Sequence, residues 1–193
     1  FCMLATAYCY SVKFNQSEDK LRRINENLER MANLDTLTGL SNRRHMNEYL
    51  SDVVYEYNRS GKIFTMAIGD IDFFKKVNDT YGHAVGDKVL IKLVSVLKRY
   101  FRSDDYVCRI GGDEFVVFMV HAAKPQQQQI EEKITGINRE LANTEDGLPS
   151  ASVSVGIVHG SESSDAEDLF RKIDDAMYQA KQRGKNTYSF YKK

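Results

Sequence analysis

Arg109-Ile110-Gly111-Gly112-Asp113-Glu114-Phe115 sits between two runs of alternating apolar residues, with Val107 leading in and Val117 and Met119 leading out. Alternation with a period of two marks β-strands, and a Gly-Gly pair between two of them marks a hairpin turn, where positive φ is cheap only for glycine. The reading predicts a hairpin with Gly111 and Gly112 in the turn and with Asp113 and Glu114 at its tip. Adjacent carboxylates beside a glycine turn leave room for something large and negative bridged by a metal, and a nucleotide triphosphate with magnesium has that form. Glycines with acids also make an ordinary solvated turn. A second acidic cluster upstream decides between the two.

That cluster is Asp70-Ile71-Asp72, at the end of the buried run Phe64-Thr-Met-Ala-Ile-Gly69. A carboxylate at a strand end is costly to desolvate unless it is paired or metal-bound. Alternation puts Asp70 and Asp72 on the same side of an extended segment. If this strand neighbours the hairpin, Asp70 approaches Asp113 and Glu114, and three carboxylates around one point require a divalent cation. Hard oxygen ligands favour Mg²⁺. Asp70 is the metal candidate. Asp72 is the structural one, expected to cap the short helix that follows.

Beyond it runs Phe73-Phe74-Lys75-Lys76-Val77-Asn78-Asp79. Backbone N–H groups opening a short helix make an anion site, to which Lys75 adds a charge. Asn78 and Asp87 suit a purine edge: a carboxylate accepts from guanine N1–H and N2–H₂, and an amide pairs with O6 or N7. Taken singly, each is also a common turn or cap residue. Lys181 and Lys185 stand four apart at the end of the last helix, suited to β- and γ-phosphates or, equally, to a solvated helix end.

The surrounding pattern sets the fold. Expected strands cover 63–69, 106–110, 114–120, 151–158 and 187–191. Expected helices carry Met46, Leu50, Val53, Val54 and Tyr57; Val89, Leu93, Val96, Leu97 and Tyr100; Ile130, Ile134, Ile137 and Leu141; and Leu169, Ile173, Met177 and Ala180 on their inner faces. A short helical turn is expected over 72–77, a loop over 79–82, a helix over 88–102, and a capping-box start at Ser164. Strand, helix, hairpin, helix, strand gives an α+β fold with a ferredoxin-like βαββαβ core, its first strand and hairpin side by side at the sheet centre.

Upstream, Leu21, Ile24, Leu28 and Met31 form a narrow apolar seam on a helix over about 17–34, which reads as a short coiled coil. Residues 1–12 are apolar and aromatic but too short to span a bilayer; they fit the tail of a membrane helix or the last strand of an upstream sensor domain. No basic stretch precedes them, so they do not read as a signal peptide. The chain opens on Phe1, as a piece of a longer protein does. Two domains are expected: 1–34, the apolar segment and signalling helix, and 35–193, the globular part.

Lys plus Arg and Asp plus Glu each number 27, a balance that argues against a dedicated nucleic-acid binder. Hydrophobic residues make up 42% and charged residues 28%, the balance of a globular chain. Cys2, Cys9 and Cys108 lack metal-site spacing and suggest a reduced, cytoplasmic setting, with the parent protein open to membrane anchoring. Cys108 reads as a small core residue.

Together these segments resemble the GGDEF-domain diguanylate cyclases. The resemblance rests on Asp35-x-Leu-Thr-Gly-Leu-x-Asn-Arg-Arg44, Asp70-Ile-Asp-Phe-Phe-Lys-Lys-Val-Asn-Asp79, Gly82-His-x-x-Gly-Asp87, Arg109-x-Gly-Gly-Asp-Glu-Phe115, Ser154-Val-Gly156 and Asp175-Ala-Met-Tyr-x-Ala-Lys181. It implies condensation of two GTP into cyclic di-GMP with release of two pyrophosphates, across a homodimer. It implies Mg²⁺ or Mn²⁺ held by Asp70, the Ile71 carbonyl, Asp113 and Glu114. It implies guanine contacts at Asn78 and Asp87, and phosphate contacts at Lys75, Lys181, Lys185 and the backbone of Phe73 and Phe74. It implies a catalytic group of Asp113, Glu114 and Lys75, with Glu114 expected to help deprotonate the ribose 3′-OH.

Lys185 departs from the family's arginine; lysine keeps the charge but loses the planar fork, which weakens the phosphate grip. Aspartate at 87 fits guanine selection, where serine would not. Arg102-Ser-Asp-Asp105 resembles the family's inhibitory RxxD site, implying that Arg102 and Asp105 bind the product; the plain alternative is a helix-to-strand turn with a surface ion pair. A nucleotide receptor without activity, or a dimerisation module with a vestigial site, would carry degenerate signature acids, and this chain's are intact.

Overall fold

The apolar run after Ile63 becomes strand β1 (Phe64–Ile71), and the glycine-centred segment joins β2 (Tyr106–Gly111) to β3 (Glu114–Val120). Strands β4 (Val153–His159) and β5 (Tyr188–Phe190) complete one sheet of order β2-β3-β1-β4-β5. β1 runs antiparallel to both β3 and β4, and β5 is parallel to β4. The helices are α1 (Arg43–Ser60), α2 (Phe74–Tyr81), α3 (His83–Tyr100), α4 (Gln127–Ala142) and α5 (Ala166–Gln182). β1-α3-β2-β3-α4-β4 is the expected βαββαβ order, with β1 beside the hairpin strand β3 at the centre.

This structure, a computed structural model, describes residues 18–25, 28–29, 31–61, 63–120, 127–163 and 165–192. The apolar stretch 1–12, Cys2, Cys9 and Ser164 lie outside them. The chain divides into two units, Phe1–Leu34 and Asp35–Lys193. In the first, 18–25, 28–29 and 31–33 are helical, and Leu21, Ile24, Leu28 and Met31 are all exposed. No helix among the described residues is long and apolar enough to cross a membrane.

Alternation along the strands divides the second unit's core in two. Met66 and Ile68 of β1, with Val116 and Phe118 of β3, face Met46, Leu50 and Val54 of α1 and Leu169, Ile173 and Met177 of α5. Ala67, Val117, Met119, Val155 and Ile157 point to the other face, against Leu93 and Leu97 of α3 and Ile130, Ile134 and Ile137 of α4. Cys108 belongs to the first layer; it is fully buried, and burial pushes its thiol up to about 12.

The expected segmentation is corrected in three places. α2 runs on through 79–81, where a loop is expected, and α3 starts at His83 rather than near 88. Only Gly82, at φ 84 and ψ 158, separates the two helices, so one glycine provides the corner that a loop was expected to make. The N-cap of α5 is Asp165, whose carboxylate accepts from the Asp168 N–H at 3.0 Å, one residue later than the expected capping box.

Candidate active site

Arg109, rather than glycine's conformational freedom, closes the signature turn. Gly111 is the last residue of β2, paired with Glu114, so the turn residues are Gly112 and Asp113. Neither Gly111 nor Gly112 has positive φ, which corrects the expected turn chemistry. The register shifts between Arg109 and Gly111, a bulge that re-aims the end of the strand. Arg109 Nε and Nη2 donate to the Gly112 carbonyl at 3.0 and 2.6 Å, and Nη1 donates to Asp35 Oδ1 at 3.0 Å.

That Asp35 oxygen also accepts from the Thr38 amide and hydroxyl at 2.8 and 2.6 Å. Burial raises the Asp35 carboxyl, but the hydrogen bonds from Thr38 and Arg109 outweigh it and hold the group below its ordinary value. The Arg109 amide donates to Ser41 O at 2.9 Å. The segment 35–44 and the signature hairpin are thus one locked structure. Beside the acids, a Cβ added at Gly112 would meet nothing within 4 Å.

Strand register brings the two acidic clusters together: Asp70 pairs with Glu114 across β1 and β3, and the Ile71 amide donates to Asp113 O at 3.3 Å. Burial pushes the Asp70 carboxyl up, against the Lys181 hydrogen bond that draws it down, and the charges of Asp113 and Asp72 add to the rise. Burial likewise raises Asp113, with Glu114 adding. The expected convergence of three carboxylates on one point is not seen. Among the described residues no three His, Cys, Asp or Glu side chains gather closely enough to hold a metal. Instead Asp70 Oδ2 lies 3.0 Å from Lys181 Nζ. Like charges resist closer approach, and the ammonium gives Asp70 an opposite charge.

Asp72 is structural, though not as a helix cap. It is 5% exposed and accepts from Ser152 Oγ and Ser154 Oγ, both at 2.6 Å, and from the Asn186 amide at 2.9 Å. Among the described residues, positive φ outside glycine occurs at Phe73, Lys185 and Asn186, all gathered around this carboxylate. Such conformations cost of order 1–3 kcal/mol each and persist where surrounding contacts impose them. Phe73 is 62% exposed, and Lys185 Nζ lies 3.7 Å from the centroid of its ring. Phe73 is also the N-cap of α2 and makes no side-chain capping bond, so the first-turn amides of α2 lack that partner. Lys75 is exposed in that turn.

Asn78 and Asp87 lie on α2 and α3, on either side of the Gly82 corner. A Cβ at Gly86 would sit 1.9 Å from Asn78 Oδ1, so the missing side chain is what lets the amide lie against α3, one residue from the exposed Asp87. Arg102 and Asp105 form a closed turn: Asp105 Oδ2 accepts from the Arg102 amide at 2.9 Å, and the Asp105 amide donates to Arg102 O at 3.1 Å. The Asp105 carboxylate is thus held by backbone rather than by the ion pair of the plain alternative, and the Arg102 side chain is exposed.

Sequence reasoning assigned no role to Arg109, Asp35, Ser152, Ser154 or Asn186. Three of these stand in the quoted motifs, a signal that marked them without saying what they touch.

The raised Asp70 carboxyl predicts a stability effect. A carboxyl whose folded pKa lies above its unfolded value costs stability at neutral pH, and the cost is relieved as pH falls through the folded value. Asp70→Asn should therefore melt above wild type at pH 7, with the gap narrowing toward pH 4. Thermal melts across that range check it; a lower melting temperature for the variant at pH 7 would show that the Lys181 pair dominates.

Residues 32–187 match the family model described as diguanylate cyclase, GGDEF domain. The chain is 33% identical over 165 residues to diguanylate cyclase DgcM of Escherichia coli (strain K12), covering 86% of this chain and 40% of that protein. It is 35% identical to diguanylate cyclase DgcS of Shewanella oneidensis, covering 84% and 54%, and 36% identical to response regulator PleD of Caulobacter vibrioides, covering 87% and 38%. It therefore spans about two fifths to one half of these relatives' lengths. Among solved structures, the coiled coil and GGDEF domain of DgcB from Caulobacter crescentus in complex with c-di-GMP matches with a TM-score of 0.78 at 28% identity, over 93% of this chain and 98% of that one. The sheet order, the paired acidic strand ends and a family match from 32 to 187 agree: this chain belongs to the diguanylate cyclase GGDEF-domain family.

Proposed function

We infer that the chain condenses two GTP into cyclic di-GMP and two pyrophosphates, with Mg²⁺ or Mn²⁺, across two copies of the globular unit placed face to face. The observation that carries this reading is the register of Asp70 against Glu114, with Lys181 at the same point. The donors suit a hard divalent cation in type: the carboxylates of Asp70, Asp113 and Glu114 and the Ile71 carbonyl are all oxygen ligands, and burial, with the charges of neighbouring acids adding, lifts the Asp70 and Asp113 carboxyls. When bound, such an ion lowers the pKa of an attacking hydroxyl and neutralises charge on a leaving pyrophosphate.

The chain's own groups account for the rest. The backbone amides of Phe73, the N-cap of α2, and of Phe74 face the phosphates with Lys75, Lys181 and Lys185. Asn78 and Asp87 take the guanine edge. The 3′-oxygen of one GTP bonds to the α-phosphorus of the other, the bond to the bridging oxygen breaks, and pyrophosphate leaves. Glu114 receives the hydroxyl proton, and the step repeats in the opposite sense to close the ring. Each unit holds one GTP, so turnover needs a homodimer, which the exposed Leu21-Ile24-Leu28-Met31 seam is suited to form. The relative DgcB was crystallised with a coiled coil in the same chain, which supports this reading. An upstream sensor or membrane segment would then set the geometry of the pair. The product binds the turn of Arg102 and Asp105 and slows the enzyme.

Incubating the chain with GTP and Mg²⁺ tests the activity: pyrophosphate and cyclic di-GMP should appear in a 2:1 ratio. Absence of both from a sample shown to be dimeric contradicts it. Gly86→Ala should displace Asn78 and raise KM for GTP about tenfold, the effect of roughly one lost hydrogen bond to a buried edge, with little change in melting temperature. An unchanged KM would remove Asn78 from the base site. Arg102→Ala should relieve inhibition by added cyclic di-GMP and leave the initial rate intact; undiminished inhibition would return the turn to a purely structural role.

A further inference from the structure

We propose that Lys181 is an exchangeable counter-ion: its ammonium occupies Asp70 until a nucleotide triphosphate draws it away, so that metal and nucleotide bind cooperatively and the metal alone binds weakly. This rests on the reading of Asp70 as a metal ligand.

Lys181 Nζ stands 3.0 Å from Asp70 Oδ2. The Asp70 side chain is 17% exposed and that of Lys181 31%. The carboxylate expected to bind a divalent ion is therefore already engaged by a cation of this chain. The same ammonium acts on the charges of Asp113 and Asp174 as well as Asp70. Asp174 lies two turns back on α5, so Lys181 is the positive charge shared by acids from β1, the signature turn and α5.

A divalent ion binding Asp70 must displace this ammonium or share its oxygens, and either costs free energy. A triphosphate offers Lys181 another acid partner. Lysine is suited to the exchange, because it is a compact charge on a flexible four-carbon stem that can swing between two anions, whereas the arginine fork is bound to one geometry. Fixed on α5, the stem pivots about a rigid base: Ala180, the residue before it, is fully buried. By linkage the coupling runs both ways, so metal at Asp70 raises affinity for the triphosphate by the factor with which the triphosphate raises affinity for metal.

The test measures Mn²⁺ binding by electron paramagnetic resonance on the intact chain, with the metal alone and with a non-hydrolysable GTP analogue. Wild type should bind Mn²⁺ weakly alone and at least about fivefold more tightly with the analogue, a typical coupling. Lys181→Met should bind Mn²⁺ alone about fivefold or more tightly than wild type and lose most of the enhancement by the analogue. Lys181→Arg, which keeps the charge, should stay near wild type for metal alone. Lys75→Met removes the same charge from α2, outside the Asp70 pair, and should leave the affinity for metal alone within about twofold. Unchanged or weaker Mn²⁺ binding by Lys181→Met, while Asp70→Asn abolishes it, overturns the exchange and leaves the metal reading standing. Equal tightening by Lys75→Met overturns it too, since general charge would then be the cause. Mn²⁺ binding that survives Asp70→Asn unchanged overturns the metal reading and the exchange together.

Discussion

Glu114→Gln should keep the fold and lower cyclic di-GMP formation by about a thousandfold, within the usual range for removing a general acid–base group. Glutamine has nearly the same shape, and Glu114 lies at the first position of β3, paired with Gly111 and Asp70, where its backbone bonds do not depend on the side-chain charge. On the proposed function, what disappears is one negative oxygen at the point where a hydroxyl proton would leave and a divalent ion would be held. Both roles fail together, so the loss should appear in kcat. The melting temperature should not fall, because removing one of several neighbouring like charges relieves Asp113, whose carboxyl the Glu114 charge helps to raise. Steady-state rates with GTP, together with a thermal melt, check the prediction. Near-normal turnover by a well-folded variant would show that the signature acids lie outside the chemistry.

Gly156→Ala should destabilise the globular unit by about 3 kcal/mol, at the upper end of what one inserted methyl costs in a packed core. The added Cβ would lie 2.3 Å from Ile173 O and 2.5 Å from Met177 N, both backbone atoms of α5. A flexible side chain could step aside; a helix backbone must move as a body. For a unit of this size that is a drop of about 6–12 °C in melting temperature. The effect extends to function, since α5 carries Lys181 and β4 carries Ser154, which holds Asp72 through a 2.6 Å bond. Activity should fall even below the new melting temperature. A variant that melts within about 2 °C of wild type would mean that the β4–α5 contact is looser than these distances imply.

Much of the fold is legible in the residues because its signals are local. Inner-face positions such as Met46, Leu50 and Val54, or Leu169, Ile173 and Met177, recur at helical spacing and are buried as that spacing predicts. The hairpin and its place beside β1 follow from alternation and from the βαββαβ order. The misreadings arise where a long-range contact replaces a local device. Gly111 and Gly112 were expected to need positive φ, but Arg109 reaches across to Gly112 and Asp35 and closes the turn, and Asp35 is 74 residues away. Asp72 was expected to cap the next helix, whereas its partners are Ser152, Ser154 and Asn186, 80 or more residues distant. Helix α3 starts early because Gly82 alone turns the corner.

For the site, the expected place of the first strand beside the hairpin is what sets Asp70 opposite Glu114, although the three carboxylates do not gather on one point. Motif spacing had no means of foreseeing that Lys181, read as a phosphate ligand, would stand on Asp70 itself. Side-chain pairing between elements more than a hundred residues apart leaves no periodic trace. The three positive-φ residues around Asp72 were equally invisible, because phenylalanine and lysine do not announce left-handed backbone as glycine does.

Crystals grown with Mn²⁺ and a non-hydrolysable GTP analogue decide whether acids from two strands share a divalent ion beside a purine triphosphate. Anomalous density should mark an ion held between Asp70 and the Asp113–Glu114 pair, with Lys181 moved onto the triphosphate. Nucleotide bound in the cleft with no ion there, and with Asp70 still paired to Lys181, would contradict that sharing.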